Sequence, residues 1–300
     1  MSIKYTDMDW PELDALWLYR SLSEPLLSSE LERISNAKSF ANHTDYLSFQ
    51  PCPSPEERNQ DRLVVQDWNL GNGTWKFCGV FDGCFKFTPH AYMHHIDDPN
   101  VGHAGHDTVD YVFRTLPDII NLALSSALEN SNANSLNPVV ISDILTHSIQ
   151  SLDNKLTGEL LRLFPDTPFI AQLSDDEISA TVNDVESGGA NSEIVARCMR
   201  GSTILVSLVD PPRSNIWVAS LGDSQAGDVS NVTNIPTPTH SALVLGIRHP
   251  DGHWTASRLS AYHNGVNPAE KTKITAEHPE ETDCIVNNRI LGALAVTRGT

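Results

Sequence analysis

Two apolar stretches, LVVQDW at 63–68 and WKFCGVF at 75–81, flank the turn residues Gly71-Asn72-Gly73. An Asn-Gly step between strand-like runs supplies the positive-φ residues that a tight hairpin turn needs. Phe77, Gly79 and Phe81 alternate with Lys76, Cys78 and Val80, so one set faces each side of a strand. The stretch reads as a β-hairpin, and the hairpin constrains its flanks. Asp61 precedes the first strand and Asp82 follows the second. Antiparallel neighbours bring the start of one strand beside the end of the other, so both acids fall at the same end of the sheet. A carboxylate held there by a rigid element is well placed to ligate a metal. The bland reading of the same pattern is two unrelated loop acids.

Further elements follow along the chain. ILVSLV at 204–209 and NIWVASL at 215–221, turned by Pro211-Pro212, read as strands, the second ending in Gly222-Asp223-Ser224. ALVLGIRH at 242–249 and HWTASRLS at 253–260, turned by Pro250-Asp251-Gly252, read as another hairpin. Helical spacing begins at Asp107, with Val109, Val112 and Leu116, and resumes after Pro117 with Ile119, Ile120, Leu122, Leu124 and Ala127. Residues 139–164 form a second helical stretch, striped by Ile141, Ile144, Leu145, Ile149, Leu152 and Leu156. Both stripes are core faces. Pro268-Ala269-Glu270 opens a third helix with proline in its first turn. Residues 165–200 carry weaker patterns, and Ser187-Gly188-Gly189-Ala190 reads as a loop. In residues 1–40, Leu13, Leu16, Trp17 and Leu22 predict a short amphipathic helix. Hairpins with long helices and few βαβ alternations make an α+β fold, helices lying over mostly antiparallel sheets.

Composition excludes some functions. A net charge of −18 lacks the basic footprint of a nucleic-acid binder and disfavours an anionic membrane surface. No apolar run reaches the ~18–20 residues needed to span a bilayer. Five scattered cysteines without CxxC spacing fit a reducing compartment, with neither a disulfide framework nor a structural zinc knuckle. The N-terminus lacks a basic start followed by an apolar core, and its acids disfavour a mitochondrial leader. The expected location is cytoplasmic, with the mitochondrion as the alternative.

Seven ordered segments carry a resemblance: NQDR at 59–62, GVFDG at 79–83, HAG at 103–105, RGST at 200–203, SLGDSQA at 220–226, LSAYHN at 259–264 and RILGALAVTR at 289–298. Together they resemble the metal-dependent Ser/Thr protein phosphatases of type 2C, the PPM family, with wording closest to a fungal branch related to pyruvate dehydrogenase phosphatase. The resemblance implies two packed antiparallel sheets flanked by helices, over a phosphatase domain at 45–300 after an N-terminal extension at 1–44. It implies that Asp82 bridges two Mg2+ or Mn2+ ions and that the Gly83 carbonyl binds one of them. Asp61 would hold a metal-bound water, and Asp223 would serve a third, weaker site. His103 would protonate the leaving oxygen, and Arg58 would grip the phosphate of a phosphoprotein substrate. Hard oxygen ligands do select Mg2+ or Mn2+. A paired-metal centre can then drive in-line attack on phosphorus without a covalent enzyme intermediate.

The sequence departs from the family at several points. Gln60, Gln225 and Tyr262 replace residues that are commonly acid, arginine and aspartate. The family reads DGHAG without a break, whereas Cys84–Gly102, nineteen residues, separate Gly83 from His103 here. Their removal restores GVFDGHAGHDT, and a retained intron or a faulty gene model is the expected origin. Spliced transcripts that all encode the stretch would exclude that origin. The competing reading is a zinc site built from His90, His94, His95, Asp97 and Asp98, with His103 and His106 nearby. His90 and His94 have the i, i+4 spacing of one helix face, but Pro89 and Pro99 leave little room for that helix. The family also continues past its AVTR motif to two more metal-binding aspartates, which the sequence to Thr300 does not contain. C-terminal incompleteness and weak metal pairing are therefore expected. Two functions result: a metal-dependent phosphoprotein phosphatase, or an inactive pseudophosphatase that at most binds phosphoproteins.

Overall fold

The computed structural model describes residues 3–6, 17–35, 38–40, 44–47, 61–84, 106–131, 136–165, 167–184, 189–224, 244–248, 254–258, 263–292, 294 and 296–299. The chain divides into two units, Met1–Asn59 and Gln60–Thr300.

In the first unit β1 (Ile3–Thr6) pairs antiparallel with β2 (Trp17–Arg20), Thr6 opposite Trp17. Helix α1 (Leu26–Ser35) follows, then the short hairpin β3 (Lys38–Phe40) and β4 (Thr44–Tyr46). The predicted helix is thereby displaced. Trp17 lies in a strand, Leu22 lies between β2 and α1, and Leu13 and Leu16 fall outside the described residues. WLYR is rich in residues that favour a strand, and Pro25 sets the start of the helix that does form.

The second unit is built on one four-stranded antiparallel sheet. Strands β5 (Arg62–Leu70) and β6 (Gly73–Phe81) are the expected hairpin, in register Arg62↔Phe81 through Leu70↔Gly73. The short β7 (Gly83–Cys84) extends past it. After this hairpin and β7 come α2 (Asp107–Asn130), α3 (Pro138–Leu163) and the single turn α4 (Thr167–Ile170). Then come α5 (Asp175–Asn183), α6 (Ala190–Met199) and β8 (Gly201–Ser202). Strands β9 (Ile204–Val209) and β10 (Ile216–Leu221) complete the sheet, whose order is β10-β9-β6-β5.

One sheet face presents Val64, Trp68, Trp75, Phe77, Phe81, Ile204, Val206 and Leu208, all buried. The rings of Trp68 and Phe77 stack at 4.7 Å. Against this face lies the α2 stripe of Val109, Val112, Leu116, Ile120 and Leu124, and Ile141, Leu145 and Leu152 of α3 join the same core. Each fully buried aliphatic or aromatic side chain stabilises by roughly 1.5–3 kcal/mol. Helix α2 runs unbroken through Pro117, which is itself buried. Proline has no N–H for the Phe113 carbonyl, but a 24-residue helix packed along the core outweighs that one lost bond. Asn137 caps α3 by accepting from the Val139 N–H at 2.9 Å.

Residues 165–200, weakly patterned in sequence, hold the single turn α4 and the helices α5 and α6. Helix α5 starts with a capping box, Ser174 and Glu177 each bonding the other's backbone N–H. Neither α5 nor α6 has a fully buried residue, so a broad apolar stripe was absent from the sequence.

The last segments are the hairpin β11 (Val244–Arg248) with β12 (Trp254–Arg258), α7 (Pro268–Glu277) capped by Asn267, and the small β13 (Ile285–Val286) with β14 (Arg289–Ile290). The arrangement is α+β, antiparallel sheets flanked by helices. No helix among the described residues is long and apolar enough to cross a membrane.

Candidate metal centre

The hairpin register pairs Arg62 with Phe81, so Asp61 and Asp82 stand opposite each other one step beyond the last rung. Arg62 fixes that end: its Nη1 donates to the Asp61 carbonyl at 2.9 Å and its Nε to Asp110 of α2 at 2.5 Å. The third acid arrives from the neighbouring pair of strands. Leu221 lies opposite Ile204, which puts the Gly222-Asp223-Ser224 turn beside Thr203.

Thr203 joins the two acid-bearing turns. Its N–H donates to the Asp82 carbonyl at 2.8 Å, and its Oγ1 accepts from the Asp82 N–H at 3.2 Å. The same hydroxyl makes a short hydrogen bond with Ser224 Oγ. Gly222 sits at φ +101°, and a Cβ there would fall 2.7 Å from Thr203 Cβ and Cγ2. Only glycine tolerates both that dihedral and that approach. On the other side Gly83 pairs with Ser202 and Cys84 with Gly201, so the first residue of the interrupting stretch continues the ladder. Arg200, immediately before β8, forms an ion pair with Asp107 at the start of α2.

Electrostatics marks Asp82. Burial, followed by the charges of Asp61 and Asp223 and a hydrogen bond with Asp61, raises its pKa to about 7. Three carboxylates facing one another at a half-buried sheet end repel, and a divalent cation relieves that repulsion. The donor set is all oxygen, which fits Mg2+ or Mn2+. Among the described residues no group of three or more His, Cys, Asp or Glu side chains closes into a ligand shell. The acids are neighbours without yet being a cage.

A second cluster supports the Asp223 turn. The Gly222 N–H donates to His263 Nδ1 at 3.2 Å, and the His263 carbonyl accepts from the Thr297 N–H at 2.9 Å. Glu270 of α7, buried, accepts from Thr297 Oγ1 at 2.9 Å and from Arg298 Nε and Nη2 at 2.9 and 2.6 Å. Burial works against its charge, but the Arg298 and Thr297 hydrogen bonds outweigh it and hold the carboxyl below its ordinary range. Burial and then the Arg298 charge hold His263 below the usual imidazole range.

The structure thus brings Asp61, Asp82, Gly83 and Asp223 to one sheet end. Arg58 and His103 lie outside the described residues, as do Gln60, Gln225, Tyr262 and the zinc set His90, His94, His95, Asp97 and Asp98. Sequence reasoning passed over Thr203, His263, Glu270 and Arg298 as working residues. Thr203, His263 and Arg298 all sit inside the quoted motifs, but nothing in a linear motif says which polar atom faces which turn.

The family profile described as protein phosphatase 2C matches residues 141–299. A protein phosphatase 2C homolog of Schizosaccharomyces pombe is 25% identical over 250 residues, covering 83% of this chain and 45% of that protein. The mitochondrial [pyruvate dehydrogenase [acetyl-transferring]]-phosphatase 1 of Saccharomyces cerevisiae is 36% identical over 98 residues, 33% of this chain and 14% of that protein. A probable protein phosphatase 2C of Oryza sativa is 28% identical over 134 residues, 38% of this chain and 20% of that protein. The chain spans less than half the length of each of these relatives.

Proposed function

Because the chain belongs to the protein phosphatase 2C family, we propose that it hydrolyses phosphoserine and phosphothreonine in proteins, using two Mg2+ or Mn2+ ions at the Asp61–Asp82–Asp223 end of the sheet. The observation that carries this reading is the Asp82 carboxyl, raised to about 7 by burial and by the facing charges of Asp61 and Asp223. Such a perturbed acid cluster at a rigid sheet end is typical of a functional site.

Asp82 and the Gly83 carbonyl would hold the pair, Asp61 would act through a water, and Asp223 would serve a weaker third position. The bound cations supply charge neutralisation of the phosphate and acidification of water. The protein supplies the rest. Asp82, hydrogen-bonded to Asp61, would hold the pair only as the carboxylate, so its proton would pass to solvent on cation binding. Thr203 fixes the Asp82 backbone so that its carboxylate stays aimed past the last rung. In the net reaction water adds to phosphorus, the Ser or Thr oxygen departs, and inorganic phosphate is released. His103 is assigned the proton delivered to that oxygen, a contribution worth roughly 10²–10⁴-fold. Arg58 is assigned the phosphate grip. The phosphatase domain is placed at 45–300 with 84–102 as an insert, and the compartment at the cytosol. Mitochondrial co-fractionation of the protein would overturn that last placement.

Hydrolysis of p-nitrophenyl phosphate and of a phosphothreonine peptide in Mn2+ tests the reading. The expected result is turnover that Asp82→Asn abolishes. A flat trace from folded protein that still binds the phosphopeptide would instead establish the pseudophosphatase. Specificity among phosphoproteins resides in loops and partners grafted on such a fold.

A further inference from the structure

The link between His263 and Gly222 has no place in the reaction as derived, yet it reaches the residue next to Asp223. Gly222 is held from two sides. Thr203 packs against the face where a side chain would stand, and the backbone N–H is taken by His263 Nδ1 at 3.2 Å. An N–H aimed at Nδ1 requires a lone pair there, which places the ring proton on Nε2. The imidazole is itself anchored. Its carbonyl accepts from Thr297, and its neighbour Asn264, buried, bridges Val296 and accepts from the Val266 N–H at 3.1 Å. Arg298, next in the chain, is held by both oxygens of Glu270. Thr297, itself bonded to Glu270 of α7, therefore anchors the residue that carries the imidazole, and the ring takes the Gly222 N–H at the end of the sheet.

We propose that His263 is a positioning residue that sets the Gly222-Asp223 turn, and through it the distance between the Asp223 and Asp82 carboxylates. The proposal rests on the metal-dependent reading given above. Outer partners that orient ligands of a metal site characteristically change its affinity without touching the ion. His263 would do so through a backbone amide, and Glu270 and Arg298 would hold His263 in place to do it.

The test uses the full chain with [15N]glycine labelling, thermal melts and calorimetric titration with Mn2+ alone. His263→Ala is expected to shift the Gly222 amide signal, to speed its exchange with solvent, and to weaken Mn2+ binding by about 10–100-fold. His263→Asn is expected to restore all three, because its amide oxygen stands where Nδ1 stood. His263→Gln, whose oxygen reaches the Nε2 position, is expected to restore none of them. Should the alanine variant fail to fold, the Asn and Gln pair decides. An unmoved Gly222 signal in His263→Ala, or equal Mn2+ affinity in the Asn and Gln variants, overturns the positioning role. Absence of Mn2+ binding by the wild-type chain overturns the functional reading itself, and the positioning role with it.

Discussion

Asp82 combines two demands that oppose each other. Its raised pKa means that the native state holds a proton which the unfolded chain releases at lower pH. A folded value of about 7 makes the native state the greater proton binder between the ordinary carboxylate range and neutrality, so stability falls as pH rises through that window. The loss is complete above about 7. Melting curves in EDTA at successive pH values are expected to show this slope in wild type and its flattening in Asp82→Asn. At pH 8 the variant is expected to melt higher than wild type by a few degrees. Added Mn2+ should reverse the order, since a ligand bound only by the native state stabilises it by mass action. A variant that melts no higher in EDTA would show that the acid is not under strain. The pairing of Asp61 with Asp82 was legible in the sequence because one hairpin register determines it. Thr203 was not, because it works through its own backbone and hydroxyl atoms across 121 residues of chain.

At the scale of elements, the long stripes were the readable part. The α2 stripe was written as Val109, Val112, Leu116, Ile119, Ile120, Leu122, Leu124 and Ala127; Val109, Val112, Leu116, Ile120 and Leu124 are buried in the core and Ile119 packs against it, but Leu122 is not part of that face. Leu116 is fully buried while Leu122, six positions on, is 70% exposed. Leu116→Ala is expected to cost about 2–5 kcal/mol by lost transfer energy and cavity formation. Leu122→Ala should stay within about 0.5 kcal/mol. Urea denaturation separates the two, and equal losses would contradict the packing. Short amphipathic elements were less readable. Helices α5 and α6 bury no residue completely, so they depend on caps and tertiary contact rather than on a stripe. The N-terminal helix was misplaced for a related reason: four apolar residues at mixed spacing satisfy a helix or a strand equally, and β2 took Trp17.

At the scale of the molecule, the interruption between Gly83 and His103 meets a fixed frame. Cys84 is paired with Gly201, and Asp107 is bound to Arg200. Both ends of the intervening chain are thus fastened to one short stretch, Arg200-Gly201-Ser202, on the sheet side of α6. Once its mouth is fixed, a loop adds closure entropy only logarithmically, about 0.6 kcal/mol for each doubling of length. Removing Cys84–Gly102 places His103 directly after Gly83, opposite Gly201, and leaves Asp107 able to reach Arg200 only through a short connection. The excised protein is expected to keep the cooperative melting of the sheet–helix core, with a midpoint within several degrees of the parent. Loss of the transition would mean that the core does depend on the stretch. Length at this point in the chain is then nearly neutral for folding, and an exon boundary could drift here without the sheet registering it. What does not drift is the staple: the Arg200–Asp107 ion pair and the Cys84–Gly201 rung hold the two ends in place whatever the number of residues between them.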